Sequence, residues 1–276
     1  MRIALAQFTA GTDPAENLKL VLAGIGQAVQ GRADLVVFPE AMICSFARPR
    51  ADAAEPLDGP WASAVRAAAA AAEVTVIVGT FTPGRSAKVR NTLLVTGPAI
   101  EAHYNKIHLF DAYGYRESDQ IEPGDALVVV EIGGVKIGLT TCYDLRFPEL
   151  FKALALQGAD VIVVPSSWAP GERKVAQWRS LAVARALDST SLIVAVGQAL
   201  PPAGGAVDGP RKPTGVGHSI VVGPLGDVLL ELGEAPELAV LDLDPSVVAA
   251  ARETLPVLTN ARFTSALTSA DPAQRR

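Results

Sequence analysis

The chain is predicted to adopt an α/β fold, because apolar strand patterns alternate with helical patterns along most of its 276 residues. Two segments, Ala-Asp-Leu-Val-Val-Phe-Pro at 33–39 and Ala-Asp-Val-Ile-Val-Val-Pro at 159–165, also resemble one another. Each follows a helical pattern and carries the apolar run of a buried strand. Such an internal repeat indicates two equivalent half-folds, which would place Glu40 and Ser166 at matching ends of related strands.

The first elements are a strand and a helix. Residues 2–8 alternate in the manner of a strand. Asp13 then supplies an N-cap, Pro14 a favoured first helical residue and Glu16 an acid in the first turn, so a helix begins here. The apolar face expected for this helix consists of Leu18, Leu22, Ile25 and Val29.

The following elements complete the first half. Their patterns predict a strand at 35–38, an alanine-rich helix at 61–72, a buried strand at 74–80, and paired strands at 92–96 and 101–105 around Gly97-Pro98.

The second half repeats the alternation. Strands 127–131 and 135–141 flank Gly133-Gly134, which is a hairpin signal, and Pro148 opens a helix. The remaining expected elements are helix 148–157, strand 161–164, helix 172–188, strands 191–197, 218–222, 228–231 and 238–243, and a short helix 245–253.

Composition and charge disfavour several classes of function. The formal net charge is −5 and the basic residues are scattered, whereas nucleic-acid binding needs a clustered basic face. No run of about eighteen apolar residues is present, so no membrane span is expected. Two cysteines in a chain of this length argue for a reducing, cytoplasmic compartment, and the first residues enter a strand without a signal-peptide pattern.

The chain is expected to form one domain. Hydrophobic residues make up 49% of it and charged residues 19%, which suits a large core, and no linker separates two autonomous cores. We assign residues 1–260 to this domain. The polar tail at 261–276 is expected to be loose or to pack on a partner subunit.

Cys142 lies in the turn between an apolar strand and an apolar helix. A residue in such a turn points outward beside the free N–H groups of a helix start, which stabilise a thiolate and a developing oxyanion. A single cysteine in an apolar stretch is more often a buried small residue than a nucleophile. Two other segments favour the nucleophile, because Glu40 and Lys106 each end a strand-like run.

These three side chains suit the hydrolysis of an amide if they meet at one edge of a sheet. Glu40 would take the thiol proton, deliver a proton to the leaving nitrogen and then activate a water. Lys106 and the backbone N–H of Tyr143 would stabilise the tetrahedral oxyanion. No histidine is required, so His108 and His218 are interpreted as structural.

Three segments carry a specific resemblance: Phe-Pro-Glu at 38–40, Asn-Lys-Ile-His-Leu-Phe at 105–110 and Cys-Tyr-Asp-Leu-Arg-Phe-Pro-Glu at 142–149. Together they resemble the nitrilase superfamily of carbon–nitrogen hydrolases, in its branch of Nit-type amidases and omega-amidases. The resemblance covers nearly the whole chain, from Ala4 to Asp244. It implies a four-layer α-β-β-α sandwich, in which two mixed sheets pack face to face and helices cover both outer faces.

The resemblance also implies roles and partners. Glu40 is the general base, Lys106 the oxyanion stabiliser and Cys142 the nucleophile, while Glu117, from Arg-Glu-Ser at 116–118, holds the lysine and positions the substrate. The family forms homodimers and larger homo-oligomers, and helix 172–188 with the C-terminal tail is the expected contact. No cofactor is expected, and the lack of ligand clusters argues against zinc.

The substrate pocket is expected to be built from loops that follow strand ends. Tyr113 and the neighbouring Tyr115 would lie over its mouth, and the segment 166–173, which begins Ser166-Ser167-Trp168, would form a wall. Arg173 would either clamp a substrate carboxylate or remain a solvated charge near a helix start.

Three further residues near these segments have other interpretations. Arg146 is interpreted as bracing an acidic residue and Cys44 as a buried apolar residue. Leu145 stands where hydrolases of N-carbamoyl-D-amino acids tend to have an arginine, which weakens that option.

The leading hypothesis is a cysteine-dependent hydrolase that converts a small linear amide, such as an omega-amide of a dicarboxylate, to carboxylate and ammonia through a thioester. An N-carbamoyl-amine hydrolase or a nitrilase is the alternative, because nitrile chemistry uses the same groups. A catalytically silent interaction module would need a broken Glu-Lys-Cys set, and all three residues are present. The absence of Cys-x-x-Cys disfavours a thiol redox enzyme.

Overall fold

Strands with β-branched, fully buried cores alternate with helices that each bury one face, as the sequence predicts. The computed structural model describes residues 1–201 and 213–262. The first sheet contains β1 (Arg2–Gln7), β2 (Leu35–Val37), β3 (Thr75–Pro83), β4 (Val89–Gly97), β5 (Ile100–Asn105) and β14 (Glu237–Asp242). The second contains β8 (Val129–Ile132), β9 (Val135–Leu139), β10 (Val161–Ser166), β11 (Leu192–Gly197), β12 (Ile220–Val222) and β13 (Val228–Glu231).

Helices connect and cover these sheets. They are α1 (Pro14–Gln30), α2 (Pro60–Ala71), α3 (Pro148–Leu156), α4 (Lys174–Ser189), α5 (Ser246–Thr254) and α6 (Val257–Asn260). A small hairpin, which the sequence did not predict, pairs β6 (Asp111–Ala112) with β7 (Tyr115–Arg116). Within the described residues, no helix has the length and apolar character needed to cross a membrane.

The two sheets have the same topology. The first has the order β14-β1-β2-β3-β4-β5 and the second β8-β9-β10-β11-β12-β13. In each sheet, the second, third and fourth strands of this order are parallel to one another. The remaining pairs of neighbouring strands are antiparallel. β2 and β10 therefore occupy equivalent positions, which confirms the repeat predicted from 33–39 and 159–165.

Three apolar clusters define four layers. Side chains such as Leu5 and Val37 of the first sheet meet Leu139 and Val163 of the second in a central core. The opposite face of the first sheet packs on α1 and α2, and that of the second on α3 and α4. This arrangement confirms the α-β-β-α sandwich. Burial of one large aliphatic side chain contributes roughly 1.5–3 kcal/mol, so the central core holds the two sheets firmly against each other.

The buried face of α1 differs from the prediction. Leu22 and Val29 are exposed, whereas Val21, Gly24 and Ile25 are buried with Asn17 and Ala28. A Cβ atom at Gly24 would lie 2.6 Å from the ring of Phe8 and 2.7 Å from that of Phe38. The helix therefore buries the small residues Gly24 and Ala28 together with Val21 and Ile25, and the lack of a side chain at Gly24 lets it approach Phe8 and Phe38 closely.

Two predicted boundaries also shift for a backbone reason. β12 begins at Ile220 instead of residue 218, because Gly217 and His218 have positive φ angles and turn the chain. α4 begins at Lys174 instead of residue 172, because Arg173 adopts a left-handed conformation with φ of 59°. Most of the tail at 261–276 lies outside the described residues.

Candidate active site

The candidate site lies where carboxyl ends of strands from both sheets meet. Glu40 follows β2, Lys106 follows β5, Cys142 follows β9 and Ser167 follows β10. Because β2 and β5 run in the same direction within the first sheet, their ends share one edge. All four residues line one cavity, so the structure brings together the three side chains whose convergence the sequence predicted.

Cys142 occupies a strained position at the start of a one-turn 3₁₀ helix, Cys142–Arg146. Its φ of 48° is left-handed, which costs a residue other than glycine roughly 1–2 kcal/mol. The thiol lies 3.7 Å from the carbonyl oxygen of Ser167. Burial, followed by the charge of Glu40, raises the pKa of the Cys142 thiol well above its usual value, although Lys106 acts in the opposite direction.

Glu40 is fully buried and its carboxylate is held on both oxygens. Oε1 accepts hydrogen bonds from Asn91 Nδ2 at 2.7 Å and Lys106 Nζ at 3.0 Å. Oε2 accepts one from the Ser167 amide at 2.8 Å. The Glu40 carbonyl in turn accepts a hydrogen bond from Gln198 Nε2 at 2.8 Å, so both backbone and side chain are oriented.

Lys106 lies between two carboxylates. Its Nζ is 3.0 Å from Glu40 Oε1 and 2.9 Å from Glu117 Oε2. Glu117 is held by the Phe110 amide at 2.6 Å and by Asn91 Nδ2 at 3.2 Å. Burial alone would lower the pKa of Lys106, but the charges of Glu117 and Glu40 outweigh it and raise that pKa well above its usual value. Lys106 therefore remains an ammonium.

Asp144 joins the cysteine turn to the lysine segment. Its buried carboxylate accepts hydrogen bonds from the Tyr104 hydroxyl at 2.7 Å and the Thr141 amide at 2.8 Å. It also accepts one from the His108 amide at 3.0 Å, and His108 Nδ1 lies 2.8 Å away. The His108 ring stacks on Phe147 with centroids 3.7 Å apart. His108 thus has a structural environment, as interpreted from the sequence.

Gly79 allows β3 to approach the Glu40 segment. A Cβ atom there would lie 2.5 Å from the Ala41 amide nitrogen, 2.6 Å from Glu40 Cα and 2.7 Å from the Pro39 oxygen. All three neighbours are backbone atoms, so no side-chain rotation can relieve the contact. Only glycine fits here without displacing Glu40.

The cavity has about 370 Å³ of empty space, part of which is open to solvent. Aromatic side chains supply much of its lining, namely Phe46, Phe110, Tyr115, Tyr143 and Trp168. Two cations, Arg146 and Lys174, also face it, in addition to Lys106. The site combines an apolar wall with charged groups, as small-molecule sites commonly do.

The predicted pocket residues divide into two groups. Trp168 and Tyr115 line the cavity. Ser166 is fully buried, and its hydroxyl donates to the Val164 carbonyl at 3.0 Å. The Arg173 side chain is 82% exposed and lies beside Glu172. Neither of these two lines the cavity. Tyr113 is 60% exposed, and its ring covers Lys174 from outside the lining.

Two further interpretations are settled by contacts. Among the described residues, Arg146 forms no ion pair with an acid, and its Nη2 donates instead to the amide oxygen of Gln177 at 2.8 Å. Its guanidinium lies over Trp168, 5.0 Å from the ring centroid. Cys44 is fully buried, as expected for an apolar residue.

Sequence reasoning missed Asn91, Gln198 and Lys174. Asn91 carried a usable signal, because a buried amide inside the apolar strand β4 needs polar partners. Gln198 follows the end of β11, so strand-end position alone would have suggested it. Lys174 was hidden by its neighbour Arg173, whose guanidinium appeared the better ligand for a carboxylate.

The fold and the site together define a hydrolase of the nitrilase type. The sequence model of the carbon-nitrogen hydrolase family matches residues 2–253, and the chain belongs to that family. It is thus a carbon–nitrogen hydrolase of the amidase type, as the resemblance implied.

Individual relatives agree with this assignment. A protein named as a hydrolase from Mycobacterium tuberculosis is 51% identical over 94% of this chain and 95% of its own length. The deaminated glutathione amidase of Escherichia coli O157:H7 is 34% identical over 95% of this chain and 98% of its own. The crystal structure of a CN-hydrolase superfamily protein from Xanthomonas campestris, with an arsenic adduct in its active site, has a TM-score of 0.83 at 25% identity and covers 96% of this chain and 98% of that one.

Proposed function

We propose that this protein hydrolyses a small linear amide to a carboxylate and ammonia, with Cys142 as the nucleophile. The Cys142 sulfur attacks the amide carbonyl while Glu40 accepts the thiol proton. Glu40 then delivers that proton to the leaving nitrogen, so ammonia departs and a thioester remains. Water attacks the thioester, with its proton accepted by Glu40 and returned to the sulfur, which releases the acid.

The observation that carries this proposal is the contact of Glu40 with Lys106 beside Cys142 in one cavity. Because burial and the Glu40 charge raise the pKa of the thiol, Cys142 is protonated at neutral pH and needs a base. Glu40 lines the same cavity as the thiol, and its charge raises the thiol's pKa, which suits that role. Glu117 keeps Lys106 charged and oriented.

Lys106 and the Tyr143 amide are the proposed donors to the tetrahedral oxyanion. Tyr143 is the second residue of the 3₁₀ turn, a position whose N–H has no carbonyl partner within the turn. An ammonium and a free backbone N–H near the attacked carbon form the kind of preorganised donor pair that stabilises such an intermediate.

The substrate class we favour is the omega-amide of a dicarboxylic acid. The amidase-named relative supports an amide substrate, and two cations in the cavity wall support an acyl chain that carries negative charge. Hydrolysis of N-carbamoyl amines or nitriles is the alternative within the same chemistry. Leu145 stands where N-carbamoyl-D-amino acid hydrolases tend to have an arginine. It is fully buried and does not line the cavity, which disfavours that class of substrate.

The test combines a substrate screen with detection of the thioester. Ammonia release is measured for succinamate, glutaramate, N-carbamoyl amino acids, neutral aliphatic amides and nitriles. Intact mass after rapid quenching should reveal an acyl adduct on the wild type, and the Cys142→Ser variant should lose both the adduct and turnover. Undiminished turnover by this variant would refute the nucleophile assignment. A complete lack of turnover by the wild type on every compound would favour a catalytically silent interaction module.

We also propose a cytoplasmic homodimer. α4 lies on the outside of the sandwich, and Leu187 of α4 is exposed beside Gly226, with Leu225 and Leu229 also exposed nearby in sequence. These features support a helix-mediated contact, since apolar side chains at a surface often mark an interface. Light scattering after size exclusion distinguishes a dimer from a monomer, and Leu187→Glu should shift the dimer toward the monomer.

A further inference from the structure

Lys174 is a buried ammonium that the proposed reaction does not use. It is the first residue of α4, only 4% exposed, and it lines the same cavity as Cys142. Its Nζ lies 3.7 Å from the ring centroid of Tyr113 and 5.8 Å from that of Phe110. Aromatic faces stabilise a cation, but they do not neutralise its charge.

Lys174 also lacks a counter-ion in the described part of the chain. There, no carboxylate oxygen lies within 4.0 Å of its Nζ, whereas Lys106 has two such partners. A buried lysine is normally paired. The first turn of a helix is moreover a poor place for a cation, because the helix dipole is positive at that end. Burial lowers the pKa of Lys174, the interaction with Tyr113 partly restores it, and Arg146 lowers it further.

Arg146 is in the same situation. Its guanidinium packs over Trp168 at 5.0 Å and over Tyr143 at 5.9 Å and donates to the neutral amide of Gln177. Among the described residues, it too has no carboxylate oxygen within 4.0 Å. Two unpaired cations therefore face one cavity, and their mutual repulsion would be relieved by an anion held between them.

We propose that Lys174 and Arg146 form a subsite for a carboxylate at the far end of the substrate's acyl chain. The aromatic wall would pack against the methylene groups between that carboxylate and the amide. This inference rests on the proposed amidase function and deepens it, because it names the residues that select the substrate. Arg173, the neighbour that the sequence suggested, points to solvent and has no part in the subsite.

The kinetic test uses a matched pair of substrates. Glutaramate carries the terminal carboxylate, and its methyl ester presents a neutral group of similar shape. We expect wild type to prefer glutaramate, and Lys174→Met to lower the ratio of the two kcat/KM values by roughly 10- to 100-fold, the range for losing a charged hydrogen bond. Lys174→Arg should restore part of the preference. Arg173→Met is the control and should leave the ratio unchanged.

A thermal measurement separates recognition from a structural role. Because Lys174 is an unpaired buried cation, Lys174→Met should raise the Tm of the ligand-free protein, whereas loss of a structural lysine would lower it. Glutarate should raise the Tm of the wild type and of Arg173→Met, and have little effect on Lys174→Met.

The outcomes distinguish the two proposals. If wild type hydrolyses the ester as efficiently as glutaramate, or if Lys174→Met keeps the wild-type ratio, the subsite is refuted while the amidase function stands. If wild type hydrolyses no amide and forms no Cys142 adduct, the amidase function fails. In that case the increase in Tm caused by glutarate still tests the subsite proposal. An increase seen in the wild type and lost in Lys174→Met supports the proposal. An increase that Lys174→Met retains, or that the wild type does not show, overturns it.

Discussion

Replacement of Gly79 by alanine is expected to inactivate the enzyme without touching any side chain that takes part in the proposed reaction. The added methyl group would lie 2.5 Å from the Ala41 nitrogen and 2.6 Å from Glu40 Cα, whereas ordinary contact begins at 3.4 Å. Either β3 or the Glu40 segment must therefore move by about 0.9 Å. The φ angle of Gly79 is not in the positive range, so steric contact alone opposes the substitution.

This displacement gives two magnitudes. Overpacking of this kind costs about 1–3 kcal/mol of stability, which in a chain of this size lowers Tm by about 2–4 °C per kcal/mol. A misplacement of about 1 Å in a catalytic group lowers the rate about 10²-fold. Because Glu40 is the proposed base for both half-reactions, we expect kcat to fall by this factor with little change in KM.

The assay is ammonia release by Gly79→Ala at a temperature where circular dichroism shows the variant to be folded. Gly26→Ala is the matched control, because Gly26 lies on the exposed side of α1 and its added Cβ would meet no atom of the described residues within 4 Å. The control should keep full activity and gain about 0.5–1 kcal/mol of stability. A folded Gly79→Ala variant with activity within threefold of wild type would refute the reasoning.

Two further predictions concern the charges around Cys142, and both use the pH dependence of its alkylation by iodoacetamide, with Cys142→Ser as the blank. Lys106→Ala should lower turnover about 10²–10³-fold through loss of an oxyanion donor, and a loss below tenfold would contradict that role. The same variant should move the alkylation midpoint to higher pH, because the Lys106 charge lowers the pKa of the thiol. Glu40→Gln should abolish amide hydrolysis for lack of a base, yet move the midpoint to lower pH, because the Glu40 charge raises that pKa. An unchanged or raised midpoint in Glu40→Gln would mean that the Glu40 carboxylate does not interact with the Cys142 thiol.

The convergence of Glu40, Lys106 and Cys142 could be predicted because each residue ends a strand. Strands that run in the same direction within one sheet place their carboxyl ends at one edge, which accounts for Glu40 and Lys106. Cys142 ends a strand of the second sheet, and its approach to them follows from the face-to-face packing that the resemblance implied. The apolar repeat at 33–39 and 159–165 likewise reports on topology, because equivalent buried strands need equivalent side chains. These features depend on patterns of several residues, and single-residue details do not disturb them.

Single-residue details decided the cases that failed. Whether Arg173 or Lys174 enters the cavity depends on where α4 begins, and the left-handed φ of Arg173 moves that start by two residues. Successive side chains on a helix point about 100° apart, so such a shift exchanges a solvated side chain for a buried one. The sequence pattern contains no signal for a left-handed arginine.

The face of α1 failed for a different reason. Leu22 and Val29 are apolar, but the sheet accepts the small residues Gly24 and Ala28, whose size permits close packing. A prediction that counts only large apolar residues misplaces part of the buried face when small residues also pack there. The contacts of the helix with Phe8 and Phe38 decide the matter, and these are visible only in three dimensions.

The strand order of the two sheets reveals a permuted repeat in the connectivity of the chain. β14 closes the first sheet beside β1, in the place that β8 takes beside β9, and the Met1 amino group lies 3.1 Å from the Leu243 carbonyl oxygen just after β14. If β14 preceded β1 in the sequence, the chain would consist of two successive units with the same order of strands. The present order is therefore that of a six-strand unit repeated once and permuted by one strand, in which one repeat supplies the Glu40 carboxylate and the other the Cys142 thiol.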